Sequence, residues 1–364
     1  MTGTTDMIKL SKGNLLTAPA EALVNTVNTE GVMGKGIALQ FKQAFPDMYK
    51  SYQQACKDQA VKLGKVHVYD LGGLVGGPRW IINFPTKGHW RSKSKLESIQ
   101  RGLEDLVRTV SDLHIKSIAI PPLGCGLGGL DWGDVKPAIE HAFTTVPEVE
   151  VLLYAPSGAP AAKEMLNATE RPKMTDGRAA LVVLMQQYLK GFLDPCVSLL
   201  EVHKLMYFLQ ESGKSLRLQF EPKPFGPYAK NLRQVLIKID GHFIHGYGDG
   251  NDAPTKPLEL KAGAVSEAIE FLKNDIDTHE KMDRVAKLIE GFEDPYGMEL
   301  LSTVHWVMCH TPSANSDPDV AVRAVQDWSS RKKSQMKPEH LKRAWNRLKD
   351  LNWDRESKSS AHIN

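Results

Sequence analysis

Ala22-Leu23-Val24-Asn25-Thr26-Val27 is a run of apolar and β-branched residues that passes directly into Asn28-Thr29-Glu30-Gly31-Val32-Met33-Gly34-Lys35-Gly36. The run reads as a buried strand, and its continuation reads as a glycine loop opening a helix. The same grammar returns downstream. Ser117-Ile118-Ala119-Ile120-Pro121 leads into Pro122-Leu123-Gly124-Cys125-Gly126-Leu127-Gly128-Gly129, again ahead of a helical segment. Glycines let backbone N–H groups approach and wrap an anion, and the dipole of the following helix favours negative charge. Two such loops at the carboxyl ends of strands frame the usual ligand crevice of an α/β sheet. A diphosphate suits them. Neither loop carries the GxxxxGK[ST] of a P-loop, and neither fits the dinucleotide fingerprint with its downstream ribose-binding acid.

Working outward, residues 66–71, 80–84 and 149–154 read as further strands, with an early one at 8–10. Helical segments fall between them at 36–44, 47–59, 96–112 and 132–143. The third places Leu96, Ile99, Leu103, Leu106, Val107 and Val110 at amphipathic spacing. The fourth follows Asp131, a natural N-cap. Pro156, Gly158, Pro160, Pro172 and Gly177 then interrupt the alternation. They predict a linker around a short helix at 161–167. Beyond it the pattern is mostly helical: 179–191, 198–212, 228–239, 264–275, 278–290, 296–310, 320–329 and 338–351. Gly- and Pro-rich loops are expected at 220–227 and 246–257. The expected organisation is an α/β domain over 1–156, a linker over 157–178, a mainly helical domain over 179–355 and a flexible tail over 356–364.

Composition narrows the class. No stretch reaches the roughly 18 uninterrupted apolar residues of a membrane helix, and Met1 to Lys9 lacks an apolar signal core. The expected location is the cytoplasm, with no membrane partner. Cys56, Cys125, Cys196 and Cys309 show neither a CxxC pair nor zinc spacing, so they read as four reduced thiols. The net charge of +3 is unevenly spread. Residues 259–299 hold 11 acids against 5 bases, and residues 323–358 hold 11 bases against 5 acids. Such runs are solvated helix faces or charged partner surfaces.

Lys12-Gly13-Asn14-Leu15-Leu16, the 22–28 strand and the Pro122–Trp132 loop resemble the macrodomain family. Asn83-Phe84-Pro85-Thr86-Lys87-Gly88-His89-Trp90-Arg91 is similar to the corresponding segment of the DarG antitoxins of DarT–DarG pairs. Tyr207-Phe208-Leu209-Gln210 with Pro224-Phe225-Gly226-Pro227-Tyr228 loosely resembles SocA-like antitoxin domains. The resemblance implies a three-layer α/β/α macrodomain with a mixed central sheet, followed by the mainly α-helical C-terminal domain. It implies an ADP-ribose site in which Asn14 and Leu15 meet the adenine end and Tyr154 packs on adenine. Asn28, Gly34, Lys35 and Gly36 lie beside the distal ribose, and Gly124, Cys125, Gly126, Leu127 and Gly128 hold the diphosphate. Two departures stand out. Lys35 occupies the place of an Asp used by some hydrolytic macrodomains. Gly128 stands where the terminal ADP-ribose glycohydrolases have an Asp paired with their Lys. Asp131 is close by, but it suits helix capping at least as well.

The resemblance also implies that Lys87 is the catalytic residue and that the substrate is ADP-ribose on thymine in single-stranded DNA. Cleaving that N-glycoside requires positive charge at the ribose C1 and negative charge on the leaving imide. A protonated Lys87 beside the thymine carbonyl would stabilise the anion, which is the preferred expectation. A neutral Lys87 amine attacking C1 through a Schiff base is its rival, and it requires a depressed lysine pKa. Trp90 beside His89 and Arg91 is a candidate base-stacking and phosphate-holding group, with His89 also a candidate proton donor. No metal or other cofactor is expected. The C-terminal domain is implied to bind a DarT-type ADP-ribosyltransferase toxin, its acids standing in for DNA phosphates. Two alternatives stay open: a non-catalytic ADP-ribose reader, and a hydrolase acting on ADP-ribosylated protein.

Overall fold

The computed structural model describes residues 7–73, 77–190 and 196–354. The expected tail at 356–364 lies outside them. The chain divides into two compact units, Met1–Glu170 with Gly248–Asn251, and Arg171–Tyr247 with Asp252–Asn364.

In the first unit the strands are β1 (Ile8–Ser11), β2 (Ala22–Asn28), β3 (His67–Asp70), β4 (Trp80–Lys87), β5 (Ser117–Ile120) and β6 (Glu150–Tyr154). The helices are α1 (Gly36–Ala44), α2 (Pro46–Lys57), α3 (Leu96–Asp112) and α4 (Trp132–Phe143). The sheet order is β1-β6-β5-β2-β4-β3. Only β3 runs antiparallel, at the edge, so the sheet is mixed. The central strands are apolar on both faces because helices cover both. On one face Val24, Ile82, Ile118, Ile120 and Val151 pack against Ile99, Leu103 and Leu106 of α3 and Ile139 of α4. On the other, Leu23, Val27, Ile81 and Leu152 meet Phe41 of α1 and Met48 and Tyr52 of α2. These are the three expected layers. Gly102 sets how closely α3 sits: a Cβ there would collide with the Phe84 ring.

β2 and β4 pair in parallel from Ala22 opposite Trp80 to Asn28 opposite Lys87, with a register shift between Val27 and Asn28. A bulge at a strand end re-aims the side chains that follow it. Here it sets Asn28 and Lys87 side by side where the two loops begin.

The second unit is largely helical: α5 (Asp176–Leu189), α6 (Leu199–Glu211), α7 (Leu232–Ile239), α8 (Ala264–Leu272), α9 (Ile276–Ile289), α10 (Pro295–His310), α11 (Pro318–Trp328), α12 (Ser330–Gln335) and α13 (Pro338–Asp350). It also holds short strands that the sequence reading did not assign. β7 (Cys196–Ser198), β10 (Ile244–His245) and β11 (Pro257–Leu260) form one sheet, and β8 (Phe220–Lys223) pairs with β9 (Gly226–Ala229) in a hairpin. The expected loop at 220–227 is therefore largely strand, and α7 starts at Leu232 because Tyr228 belongs to β9. Proline fits this hairpin because an isolated two-stranded ribbon leaves edges where no N–H is required.

No helix among the described residues is long and apolar enough to cross a membrane.

Candidate functional site

The first loop is closed by Asn28. Its Nδ2 donates to Val32 O at 2.6 Å, and its Oδ1 accepts from Glu30 N at 2.9 Å. The buried Tyr52 hydroxyl of α2 donates to Asn28 O. Burial pushes that phenol well above the usual tyrosine range. Gly36 opens α1 with φ of 61°, a left-handed conformation that glycine adopts without strain. Lys35 is the N-cap of α1 in extended conformation, and Gly34 precedes it.

The second loop folds on itself. Gly129 N donates to Gly126 O and Leu130 N to Gly124 O, both at 3.1 Å. Ser94, at the start of the segment leading into α3, donates its N–H to Gly128 O at 3.0 Å. A Cβ on Gly128 would collide with Gly124 O and Ser94 Oγ. The missing Asp at position 128 thus has a steric reason, since no side chain fits there. Asp131 does not replace it: its Oδ1 accepts from Gly133 N at 2.6 Å and caps α4. Burial pushes the Cys125 thiol up to about 11, with Asp131 adding to it, so it is no thiolate nucleophile at neutral pH. Gly126 is open to the exterior and Leu127 is exposed.

Lys87 ends β4 half-buried, and its Nζ lies 3.4 Å from Leu127 O on the second loop. Partial burial, and then the nearby Lys93 ammonium, lower its pKa from the usual lysine value. Thr29 N donates to Gly88 O at 3.1 Å and ties the loop after Lys87 to the first glycine loop. Lys87, Asn28 and the 124–129 loop are therefore gathered at one end of the sheet. Beside them, His89 stacks on Trp90 with centroids 5.4 Å apart, and the Arg91 guanidinium lies 4.4 Å from the Trp90 ring. Arg91 N donates to His89 Nδ1 at 3.1 Å, which leaves Nε2 facing Glu30 at 3.7 Å. Trp90 remains 43% exposed, enough to offer part of its ring to a ligand.

The residues expected at the adenine end lie on β6 and just beyond β1. Tyr154 closes β6 opposite Ser11, buried against the Leu15 and Leu16 cluster. Asn14 caps the turn holding Leu15: its Oδ1 accepts from Leu16 N at 3.0 Å and its Nδ2 donates to Glu164 O. A carbonyl oxygen has two lone pairs, so Asn14 Oδ1 retains capacity to accept one more donor. Three contributors escaped the sequence reading: Tyr52, Lys93 and Ser94. Each acts across long sequence separation, and no local pattern marks them.

A macro domain family model matches residues 24–139. The DNA ADP-ribosyl glycohydrolase of Thermus aquaticus is 46% identical over 326 residues, covering 90% of this chain and 89% of that protein. The chain belongs to the DNA ADP-ribosyl glycohydrolase (DarG) family. A second DarG-family relative, the DNA ADP-ribosyl glycohydrolase of Mycobacterium tuberculosis, is 44% identical over 338 residues, covering 90% and 94%. A DNA ADP-ribosyl transferase–DNA ADP-ribosyl glycohydrolase fusion protein of Thermosipho africanus is 36% identical over 166 residues, covering 42% of each chain. The residues of the DarG-family match thus extend through both compact units.

Proposed function

We propose that the first unit hydrolyses the N-glycosidic bond between ADP-ribose and thymidine in single-stranded DNA, with Lys87 as the catalytic residue. The observation that carries this reading is the approach of Lys87 Nζ to Leu127 O, which puts an amine at the loop suited to the diphosphate. Macrodomain membership supports ADP-ribose as the ligand, and the relatives' names support DNA as its carrier.

Both routes stay open; burial lowers the Lys87 pKa from the ordinary lysine value, which is the direction the amine route requires. In the amine route Lys87 Nζ bonds to C1 of the ribose while the C1–imide N bond breaks. The bonding pair leaves on the imide nitrogen, which takes up the proton that the attacking amine releases. Ring opening gives a Schiff base, and water then releases ADP-ribose and restores the amine. Net consumption is one water. Asn28 would hold the distal ribose, Gly124 to Gly128 the diphosphate, and Tyr154 with Asn14 the adenine end. His89, Trp90 and Arg91 would meet the DNA strand.

The second unit is proposed to bind a DarT-type toxin, so that the whole chain serves as an antitoxin in the cytoplasm, where the DNA lies. The fusion of transferase and glycohydrolase in the Thermosipho relative supports such a partnership. Exposed Glu280 and Asp283 on α9 offer carboxylates for it. Not all of the acidic run is available: Glu299 is buried, 2.6 Å from Lys332.

The test is release of ADP-ribose from a thymidine-modified oligonucleotide by wild type and Lys87→Ala, with a modified protein assayed in parallel. Release from DNA that vanishes in the variant while ADP-ribose still binds supports the hydrolase. Binding without release makes the unit a reader. Release from the modified protein alone moves the substrate.

A further inference from the structure

Thr86 is the extra residue of the bulge in β4. Val27 stands opposite Pro85 and Asn28 opposite Lys87, so Thr86 has no counterpart on β2. The pairing is pinned on both sides of it. Upstream, Asn25 Nδ2 donates to Asn83 Oδ1 at 2.9 Å, and both side chains are fully buried. Downstream, Thr29 N donates to Gly88 O at 3.1 Å. Pro85 suits its place: it lies beyond the β3 pairing, which ends with His67 opposite Asn83. Sheets admit proline at bulges and along such edges.

The bulge decides where Lys87 emerges. Side chains alternate between the two faces of a strand, and one extra residue reverses the alternation for all that follow. Phe84 lies against Gly102 of α3, whereas Asn83 Nδ2 donates to Met48 Sδ of α2 at 3.3 Å. Regular pairing would put Thr86 opposite Asn28 and send Lys87 to the α2 face with Asn83. With the bulge, Lys87 turns the other way, and its Nζ meets Leu127 O at 3.4 Å on the loop that leads into α4.

The Thr86 side chain closes the bulge. It is 4% exposed, and its Oγ1 donates at 3.3 Å to Val27 O, the carbonyl at the register shift. A backbone carbonyl has two lone pairs, so Val27 O can take this bond besides one from the ladder.

We propose that Thr86 is a positioning residue for Lys87: its hydroxyl, bonded to Val27 O, holds the extra residue in β4 and so keeps the amine turned toward the second glycine loop. Removing the hydroxyl frees β4 to slip toward regular pairing, which withdraws Lys87 from Leu127 O. A hydroxyl that served only to satisfy the core would affect stability and leave the direction of Lys87 alone. The role in turnover rests on the hydrolase reading above, but the placement of Lys87 can be measured without it.

The experiment uses the full chain as wild type, Thr86→Val and Thr86→Ser. Valine keeps the branching but not the hydroxyl, and serine keeps the hydroxyl without the methyl. Calorimetry first establishes that each binds ADP-ribose. Lys87 acetylation by acetic anhydride is then followed by mass spectrometry with and without ADP-ribose. In wild type, ligand well above its Kd should slow Lys87 labelling by about tenfold or more. In Thr86→Val that shielding should fall to about twofold or less. In the release assay, kcat of Thr86→Val should drop about 10- to 100-fold while ADP-ribose affinity stays within about threefold. Thr86→Ser should restore both shielding and kcat. Equal shielding and equal kcat in wild type and Thr86→Val overturn the proposal, as does serine that restores neither. A Lys87 left unshielded in wild type places the amine away from the ligand and overturns it as well. If Thr86→Val fails to bind ADP-ribose, Thr86→Ala against Thr86→Ser decides, because those two differ by the hydroxyl alone. Shielding lost in Thr86→Val and restored in Thr86→Ser, with no release by wild type, supports the placement and removes the hydrolase reading instead.

Discussion

Ser94 and Gly128 are locked together: the Ser94 N–H donates to Gly128 O at 3.0 Å, and any side chain at position 128 would run into Ser94 Oγ. The 124–129 turn, proposed to hold the diphosphate, is thereby held by a segment that precedes α3. Gly128→Ala should strain both the turn and this clamp. Overpacking of a tight site costs about 1–3 kcal/mol. Denaturant unfolding should report that loss, and calorimetry should show ADP-ribose binding weakened by about tenfold or more. Gly126→Ala is the control, since its Cβ would enter open space. If Gly128→Ala binds as well as Gly126→Ala, the clamp does not shape the turn.

Lys87→Ala should abolish release while leaving ADP-ribose affinity within about threefold. The expected loss in kcat is at least about 100-fold, the scale set by removing one group that acts on the transition state. Lys87→Arg separates the two routes. Arg keeps the charge but brings no amine nucleophile. Activity in Lys87→Arg comparable to wild type would favour the ammonium route. Borohydride trapping of an enzyme–ADP-ribose adduct during turnover would favour the amine.

Glu299 sits between two cations, with Lys332 Nζ 2.6 Å away and the Arg331 guanidinium also in contact. Lys332 is fully buried and Glu299 is 4% exposed. Removing one partner of such a pair leaves an uncompensated charge and costs about 3–5 kcal/mol. Glu299→Ala should therefore lower the unfolding midpoint of the second unit sharply. Glu299→Ala together with Lys332→Met should recover a substantial part of the loss. Failure of the double variant to recover any would show that the pair is not what holds α10 against α12.

Much of this was legible in the sequence. The 96–112 periodicity became α3 over the same residues, and Asp131 became the cap of α4. Strand–loop–helix signals are local, so glycine and β-branched residues announce them. The second unit was less transparent. Pro222, Pro224, Gly226 and Pro227 read as chain breakers, yet they form a hairpin whose Pro227 O accepts from the buried Lys204 Nζ at 2.7 Å. That bond joins distant segments and leaves no local trace. The charge runs misled for the same reason. Glu299 and Lys332 were counted in separate surface runs, but the fold brings them together in the interior.

Two buried histidines predict that the second unit loses stability in acid. Burial lowers His305 to about 4 and His203 to about 3, against an ordinary 6.5. His305 is held by the Tyr207 hydroxyl at 2.7 Å and by Trp353 O at 3.0 Å. The unfolded chain binds protons that the folded chain refuses between about 6.5 and 4. Stability is fully present above 6.5 and falls as pH drops through that window, by on the order of a few kcal/mol. Denaturant unfolding between pH 7 and 4.5 should show the decline. His305→Gln should flatten the slope, although its baseline stability will be lower. An equal slope in the variant would assign the acid sensitivity to other groups.

The surface beside Lys87 should decide DNA against free ADP-ribose. Arg91 lies over Trp90, and both belong to the segment that follows Lys87 at the end of β4. A guanidinium that neutralises one phosphate releases counterions, so its contribution weakens as salt rises. Arg91→Ala should raise KM for a modified oligonucleotide about three- to tenfold at low salt and reduce the slope of log KM against log salt by nearly one unit. Trp90→Ala should raise KM by a similar factor through lost stacking, but without changing that slope. Neither should alter affinity for ADP-ribose alone, because the diphosphate turn and Tyr154 lie elsewhere in the site. Equal losses on oligonucleotide and free ADP-ribose would instead mean that the Trp90 segment supports the pocket itself. In that case the strand must pass over a different face of the unit.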